Sequence, residues 1–333
     1  MKPRAPIASS GVQAPSARTP GVHVCVAIAG LARVVVASRL ARVLAVMPGV
    51  GLLGCGAARP GLAPAPARFE ITSSPELVTP PSSEYSEVRI AVSPDGDTML
   101  WGSKDRPGGP GSYDIWITRR TDGTWSPPAP VSFNTSAKDY DPAFSPDGRY
   151  VYLFSNRPGG LGGDDLYRVP VTLDDFGPAE HLDATINSPG NEWAPVPLRD
   201  GSLVFASDGR GGAGRQDLFI AAPRDSSFAP AAPLPGAINT AADEFDATAL
   251  PDGDLVFSRS TNLDSDPVQL VFARHGPTGY DAGTPLPSSI NAGDATYAPS
   301  IDWRDPSILY FTGTQPESTL GKRDIYQVRY RVR

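Results

Sequence analysis

The stretch from Val88 to Ser103 reads VRIAVSPDGDTMLWGS, and the stretch from Tyr140 to Ser155 reads YDPAFSPDGRYVYLFS. In both, an apolar segment meets an Asp-Gly turn and is followed by a second segment rich in β-branched and aromatic residues, which is a β-hairpin signal. Related turns (LRDG, LPDG and WRDP) follow along the chain, so the turn aspartates are Asp95, Asp147, Asp200, Asp252 and Asp305. A fixed period of about 52 residues predicts a repeat architecture.

Each copy has the pattern of four short strands. The second strand leads into a loop, which is Gly-rich in the first three copies, then a third strand, a polar turn and a fourth strand. Four short strands at this period are typical of a propeller blade. The last copy ends at Arg333 after its third strand, whereas Phe69–Val78 has the pattern of a fourth strand. The sequence therefore predicts an all-β fold, a five-bladed β-propeller of four-stranded blades, closed by an N-terminal strand that completes the last blade.

The repeat resembles the WD40-like (PD40-type) repeat of the TolB family, whose hallmark is SPDG followed by S-x-R and D-[LI]-[YW]. The second copy matches it with Ser145–Gly148, Ser155-Asn156-Arg157 and Asp165-Leu166-Tyr167. The first copy matches with Ser93–Gly96 and Asp114-Ile115-Trp116. This resemblance implies a propeller of the bacterial envelope, but a propeller fold alone does not determine a function.

The N-terminal segment has the features of an export signal. Residues 39–55 read RLARVLAVMPGVGLLGC, in which arginines precede an apolar run too short to span a bilayer. The run ends in Leu52-Leu53-Gly54-Cys55, which resembles a bacterial lipobox and implies lipidation at Cys55. The alternatives are an ordinary signal peptide with a free cysteine, or a chance apolar stretch. Gly56 differs from the aspartate that resembles an inner-membrane retention signal, which favours the outer membrane.

We therefore expect three parts: a leader with a lipoprotein-type signal peptide at 1–55, an Ala/Pro/Gly tether at 56–68, and the propeller at 69–333. Residues 1–55 carry six Lys or Arg and no Asp or Glu, so the remainder has 23 basic and 36 acidic residues, a net charge of -13. This charge opposes non-specific binding to nucleic acid.

An acidic column runs through the predicted first strands, eight residues before each turn aspartate. Its members are Glu87, Asp139, Glu192 and Glu244. Two interpretations are open: a carboxylate ring at one channel mouth that binds a cation or a basic partner segment, or carboxylates that hold neighbouring backbone N–H groups. Beside this column are aromatic candidates for partner contacts, some of which we expect in the core: Tyr85, Tyr140, Trp193, Phe245 and Tyr297.

A second acidic column, in the predicted third strands, is expected to pair with loop arginines. It comprises Asp114, Asp165, Asp217 and Asp324, and the arginines are Arg106, Arg157 and Arg210. We expect neither a metal site nor a cofactor. One acidic loop, residues 261–266 (TNLDSD), offers ligand types that Ca²⁺ accepts, the alternative being a solvated loop.

These patterns favour a non-catalytic envelope lipoprotein whose propeller binds another envelope protein or ligand on the periplasmic or surface side. One alternative is a five-bladed glycoside hydrolase, which would need paired carboxylates near the channel. Its candidates are Glu87, Glu192 and Glu244, although acid and base need different environments and these residues follow the repeat symmetry. Another alternative is a glycan- or peptidoglycan-binding module.

Overall fold

A computed structural model of the chain describes residues 68–173, 175–315 and 319–333. Throughout these ranges the regular elements are β-strands, and none contains a helix that could cross a membrane. Cys55, the leader and residues 56–67 of the tether lie outside the described residues. The signal peptide and the lipidation at Cys55 therefore stay predictions.

Five antiparallel sheets form the blades, and the chain reaches them in order. The strands that precede blade one are β1 (Phe69–Ile71) and β2 (Glu76–Leu77). Those of blades one and two are β3 (Ser86–Val92), β4 (Thr98–Lys104), β5 (Tyr113–Thr121), β6 (Thr124–Trp125), β7 (Ala129–Pro130), β8 (Asp139–Phe144), β9 (Tyr150–Ser155), β10 (Asp165–Pro170) and β11 (Glu180–His181).

Blades three and four each carry a short extra hairpin in an outer loop. Blade three comprises β12 (Glu192–Pro197), β13 (Leu203–Ser207), β14 (Asp217–Ala221), the hairpin β15 (Pro223–Arg224) and β16 (Ser227–Phe228), and β17 (Ala232–Pro233). Blade four comprises β18 (Asp243–Ala249), β19 (Leu255–Ser260), β20 (Gln269–Ala273), the hairpin β21 (His275–Gly276) and β22 (Gly279–Tyr280), and β23 (Thr284–Pro285). Blade five adds β24 (Tyr297–Ile301), β25 (Ile308–Gly313) and β26 (Asp324–Val332).

The first strand of each blade lies at the centre of the ring. β3 contacts β8, β8 contacts β12, β12 contacts β18, β18 contacts β24, and β24 contacts β3 again. Each sheet then extends outward in strand order, as in β12-β13-β14-β17. The protein is therefore a five-bladed β-propeller of four-stranded blades, and the fold predicted from the repeat is confirmed.

The N-terminal strands complete the last blade, as the sequence predicts. β1 and β2 both pair antiparallel with β26, with Phe69 opposite Val332 and Leu77 opposite Tyr326. The Phe69 ring stacks on Tyr330 with centroids 4.8 Å apart and lies 5.2 Å from the ring of Phe272 in blade four. This pairing covers the edge that β26 would otherwise expose.

Replacing Phe69 with alanine is expected to lower the free energy of unfolding by about 1–2 kcal/mol, less than for a fully buried phenylalanine because Phe69 is half-buried. Urea denaturation measures the change. Leu173→Ala is the matched control, since the Leu173 side chain is fully exposed and its removal should change stability by less than about 0.5 kcal/mol. Equal effects of the two variants would contradict the closure role of Phe69.

The SPDG turn is stabilised by its own side chains. Ser93 Oγ donates to Asp95 Oδ1 at 2.5 Å, and the same carboxylate accepts the N–H of Asp97 at 2.9 Å. Gly96 has φ +73°, a left-handed conformation that glycine adopts without steric cost. The repeat of these letters therefore reflects a local structural requirement of each hairpin.

Blades are held together by apolar side chains of their middle strands. Trp101 and Trp116 of blade one cluster with Tyr310 and Ile325 of blade five. Phe205 of blade three belongs to a cluster with residues of blade two. Burial of large aromatic surfaces between neighbouring sheets fixes the ring geometry and so the positions of the residues at the axis.

Candidate functional site

The inner strand of every blade contains an irregularity at the same position, next to the axis. The strand register shifts between Val88 and Ile90, and it shifts at the corresponding place in the other four blades. At this position five non-glycine residues have positive φ, from 42° to 53°: Arg89, Asp141, Ala194, Asp246 and Ala298. Non-glycine residues rarely adopt this conformation. Its occurrence at the same position in all five inner strands shows that the bulge is a regular part of the fold.

Three of these five axial residues are charged and buried. Arg89, Asp141 and Asp246 are 3%, 4% and 5% exposed. Arg89 Nη2 donates to the carbonyl of Ala247 at 3.2 Å, whereas Arg89 Nε and Nη1 and Asp141 Oδ1 are buried without a hydrogen-bond partner. The other two positions hold alanine, so this cluster breaks the five-fold repeat.

An open cavity of about 300 Å³ lies on one side of this cluster. Every blade contributes to its lining, which consists of Val88, Tyr113, Lys138, Tyr140, Asp141, Phe154, Asp164, Trp193, Phe245, Asp246, Leu263 and Tyr297. We call it the axial cavity. On the other side Arg89 lines a separate cavity of about 40 Å³, with Thr248, Ser300 and Trp303. The charged cluster therefore lies between the two.

Burial sets the charge state of the two axial carboxyls. Desolvation raises the pKa of Asp141 well above its usual value, and the nearby Asp246 carboxyl raises it further, while the Arg89 charge opposes both effects. Burial likewise raises the pKa of Asp246 to about 6, again against Arg89. Each of the two carboxyls is close enough to shift the pKa of the other. The two carboxyls therefore titrate as a pair whose burial favours a shared proton, and the Arg89 charge opposes that effect.

The structure brings together the four aromatic residues that the sequence singles out beside the acidic column. Tyr140, Trp193, Phe245 and Tyr297 all line the axial cavity. The Trp193 indole is held in place because its Nε1–H donates to Asp164 Oδ2 at 2.9 Å. Tyr85 does not belong to this set, because blade one has Val88 at the equivalent inner-strand position.

Of the two interpretations of the acidic column, the structure agrees with carboxylates that hold backbone N–H groups, and not with a carboxylate ring at a channel mouth. The four carboxylates of the column are fully buried and do not line the axial cavity: Glu87, Asp139, Glu192 and Glu244. Each accepts hydrogen bonds from the backbone N–H and the hydroxyl of a Ser or Thr four residues earlier, the donors being Ser83, Thr135, Ser188 and Thr240. These carboxylates tie the loop that enters each blade to its inner strand.

The loop arginines also have partners other than those expected. Arg157 Nη2 lies 2.5 Å from Asp139 Oδ1, and Arg259 Nε donates to Glu244 Oε1 at 2.7 Å. Arginine therefore pairs with carboxylates of the first-strand column, at Asp139 and Glu244. The third-strand carboxylates instead accept backbone N–H groups of the loops before them, as Asp114 does from Gly111 at 3.1 Å. The expected pairing of Asp114, Asp165, Asp217 and Asp324 with Arg106, Arg157 and Arg210 is corrected accordingly.

Replacing Glu192 with glutamine is expected to change stability by no more than about 1 kcal/mol, because burial raises the pKa of Glu192 while its hydrogen bonds favour the charged form. The serine hydroxyls of Ser188 and Ser207 can rotate to accept the new amide N–H groups, but Arg210 loses its neighbouring negative charge. Thermal or urea denaturation checks this, with Glu180→Gln as control because Glu180 forms an exposed pair with Arg168. A large effect on ligand binding without loss of stability would instead point to a direct binding role for Glu192.

The acidic loop at 261–266 forms an ion pair and a hydrogen bond with other residues of the protein. Asp264 pairs with Arg215 at 2.9 Å, and the N–H of Leu263 donates to Asp243 Oδ2 at 3.1 Å. Within the part of the chain that the structure describes, no three His, Cys, Asp or Glu side chains are grouped so as to hold a metal ion.

Sequence reasoning missed Arg89, Asp141 and Asp246. The available signal was a column two residues after the acidic one, where four letters follow the repeat and read Arg, Asp, Ala and Asp. Residues that maintain the blade structure recur in every blade. Charged residues that occur at this position in only some blades are instead candidates for a functional site.

Comparisons with known proteins give structural neighbours at low identity. TolB from Acinetobacter baumannii aligns with 75% of this chain and 56% of its own, at 15% identity and a TM-score of 0.46. A putative TolB from Agrobacterium tumefaciens aligns with 74% and 83%, at 14% identity and a TM-score of 0.46. An α-L-arabinanase from Penicillium chrysogenum aligns with 78% and 77%, at 15% identity and a TM-score of 0.44.

The chain thus spans little more than half the length of the Acinetobacter protein. No protein-family model matches the sequence, and no curated protein matches it. The propeller assignment rests on the strand order of this chain itself.

Proposed function

We propose that the protein is a non-catalytic binding propeller of the bacterial envelope, which docks another envelope protein at the axial cavity. A lipid on Cys55 would anchor the propeller to the outer membrane, which Gly56 favours. The propeller would then face the periplasm or the cell surface. The observation that carries this proposal is the axial cavity, an aromatic-walled concavity to which all five blades contribute. Such concave sites with a few polar groups are where proteins bind ligands and partner side chains.

The axial carboxyls support a binding role over glycoside hydrolysis. Hydrolases of sugars hold their two carboxyls about 5–9.5 Å apart, which leaves room for the sugar or for water between them. Asp141 and Asp246 instead form a closely coupled pair, in which each carboxyl shifts the pKa of the other. Glu87, Glu192 and Glu244, the carboxylates with the repeat spacing, are buried with internal partners. Neither set has the geometry of a separated acid and base.

In-cell photocrosslinking tests the docking site. A photoreactive amino acid replaces Leu263, which lines the axial cavity, and in a matched variant it replaces Leu173, which is fully exposed and lines a groove between blades one and two. We expect the full-length chain to crosslink one envelope protein from position 263 and not from position 173. Cys55→Ser is the control for anchoring and should weaken the crosslink, because the tether no longer keeps the propeller at the membrane.

Crosslinking of the same protein from both positions, or from position 173 alone, would contradict docking at the axial cavity. Turnover of aryl-glycosides that is lost in Asp246→Asn would contradict the non-catalytic role. Specific retention on cell-wall material, with no crosslinked protein, would favour the glycan-binding alternative instead.

A further inference from the structure

We propose that the axial cavity binds the ammonium group of a lysine side chain presented by the docked partner. This inference rests on the proposed function, since it names the chemical group that the same cavity receives. Two features carry it: the aromatic wall, and the carboxyl groups at the base of the wall, one of which has a buried oxygen without a hydrogen-bond partner.

The wall of the cavity suits a cation. Six aromatic rings surround it: Tyr113, Tyr140, Phe154, Trp193, Phe245 and Tyr297. The ring of Tyr140 meets those of Tyr113 and Phe154 edge to face, with centroids 4.7 and 5.7 Å apart, so the wall is continuous in this sector. Aromatic rings attract an ammonium group through their negative faces, and they pack against the methylene groups of the same side chain.

The charges of the lining are complementary to a cation. Asp141, Asp164 and Asp246 line the cavity, and Lys138 is the one basic residue among its lining residues. Lys138 is exposed, which places its ammonium group within reach of water. Arg89 lines the small cavity on the opposite side of the carboxyls. The base of the axial cavity therefore presents carboxyl groups to an entering side chain.

The free hydrogen-bonding capacity distinguishes lysine from arginine. Asp141 Oδ1 is buried and without a partner, while the Asp164 carboxylate already accepts the Trp193 indole N–H. Asp141 and Asp246 are also coupled to each other. A single free oxygen fits a point donor such as ammonium, whereas a guanidinium group would need two parallel acceptors for its planar fork. An unpaired buried acceptor costs free energy that such a donor would recover.

Binding should depend on pH, because an entering ammonium group would take the place of the shared proton. The groups that act on Asp141 are Arg89 from the neighbouring inner strand β3, Asp246 from the inner strand β18, and Asp164 from the loop before β10. Tyr113, Tyr140 and Tyr297 complete the titratable surroundings, and burial raises the pKa of Tyr140 and Tyr297, so they stay neutral. Since burial raises the pKa of Asp246 to about 6, affinity for an ammonium group should rise as pH increases through that value.

Titration of the full chain with three blocked tripeptides, Gly-Lys-Gly, Gly-norleucine-Gly and Gly-Arg-Gly, tests the inference. The readout is fluorine NMR of 5-fluorotryptophan protein, in which Trp193→Phe identifies the resonance at the cavity. We expect a saturable shift of that resonance with the lysine peptide, with affinity about tenfold higher than for norleucine or arginine. Affinity should fall when pH is lowered from 8 to 5. Equal affinity for lysine and norleucine, or tighter binding of arginine, would overturn the proposal.

Asp141→Asn should weaken lysine-peptide binding about tenfold, with Glu180→Gln as an exposed control that leaves it unchanged. A urea titration of the same sample confirms that the variant is folded. The two proposals can fail separately. A specific crosslink from position 263 without lysine-peptide binding would overturn the ammonium site and leave docking in place. Lysine-peptide binding without a crosslinked protein would overturn docking and show that the cavity takes ammonium groups from other sources.

Discussion

Replacing Arg89 with methionine is expected to lower the free energy of unfolding by about 2–4 kcal/mol at pH 8. Arg89 is 3% exposed, and its charge lowers the pKa of both Asp141 and Asp246. Without it, the two buried carboxyls lose the cation that lowers the pKa of both. The loss is partly offset because Nε and Nη1 of Arg89 are themselves buried without partners.

Urea denaturation at pH 8 and pH 4.5 separates charge from packing in this variant. At pH 4.5 the carboxyls of the variant are protonated, so the stability difference from the natural protein should fall to about 1 kcal/mol. Arg199→Met is a control, because Arg199 is exposed, lies over the Trp303 ring and has no such buried carboxyl pair. A loss of stability that is the same at both pH values would contradict the electrostatic role of Arg89.

The repeat in the sequence was sufficient to predict the fold, including the closure of the ring by the pairing of the N-terminal strand with the last blade. Phe69–Val78 resembles a fourth strand, and the only copy without one is the last, so closure followed from the pattern. The residues of the turn motif were informative because each stabilises its own hairpin. In the first hairpin, Ser93 donates to Asp95 and Gly96 adopts a positive φ. Local requirements of this kind leave a clear trace in sequence.

The candidate site was predicted only in part, since it depends on which way a strand turns its side chains. The sequence identified the aromatic residues of the inner strands, but it left open whether Glu192 and its counterparts line the channel or hold backbone N–H groups. The structure shows them buried beneath the entering loops. The register shift in each inner strand turns the residue two places later toward the axis. Such a bulge has no recognisable sequence pattern, because arginine, aspartate and alanine all occupy it. The sequence therefore could not show which side chains of the inner strands face the axis.

Replacing Asp141 with asparagine is expected to raise the free energy of unfolding by about 2–3 kcal/mol at pH 7, because the folded protein no longer buries an ionisable carboxyl at this position. The sign follows from the raised pKa of Asp141, whose main cause is burial. A carboxyl with a raised pKa in the folded state contributes stability below its unfolded pKa, and the protein loses that contribution as pH rises. Asparagine mimics the protonated carboxyl, and Asp246 is then free to ionise opposite Arg89.

Unfolding free energies between pH 4 and pH 8 provide the measurement. The natural protein should lose stability with a slope of up to about 1.4 kcal/mol per pH unit from this group, offset by other carboxyls, and Asp141→Asn should remove that component. Asp95→Asn is the control of opposite sign, because the hydroxyl of Ser93 and the N–H of Asp97 lower the pKa of Asp95. A stabilised Asp141→Asn protein that no longer binds the lysine peptide would show that this carboxyl is kept at a cost in stability, as expected for a binding residue and not for a structural one.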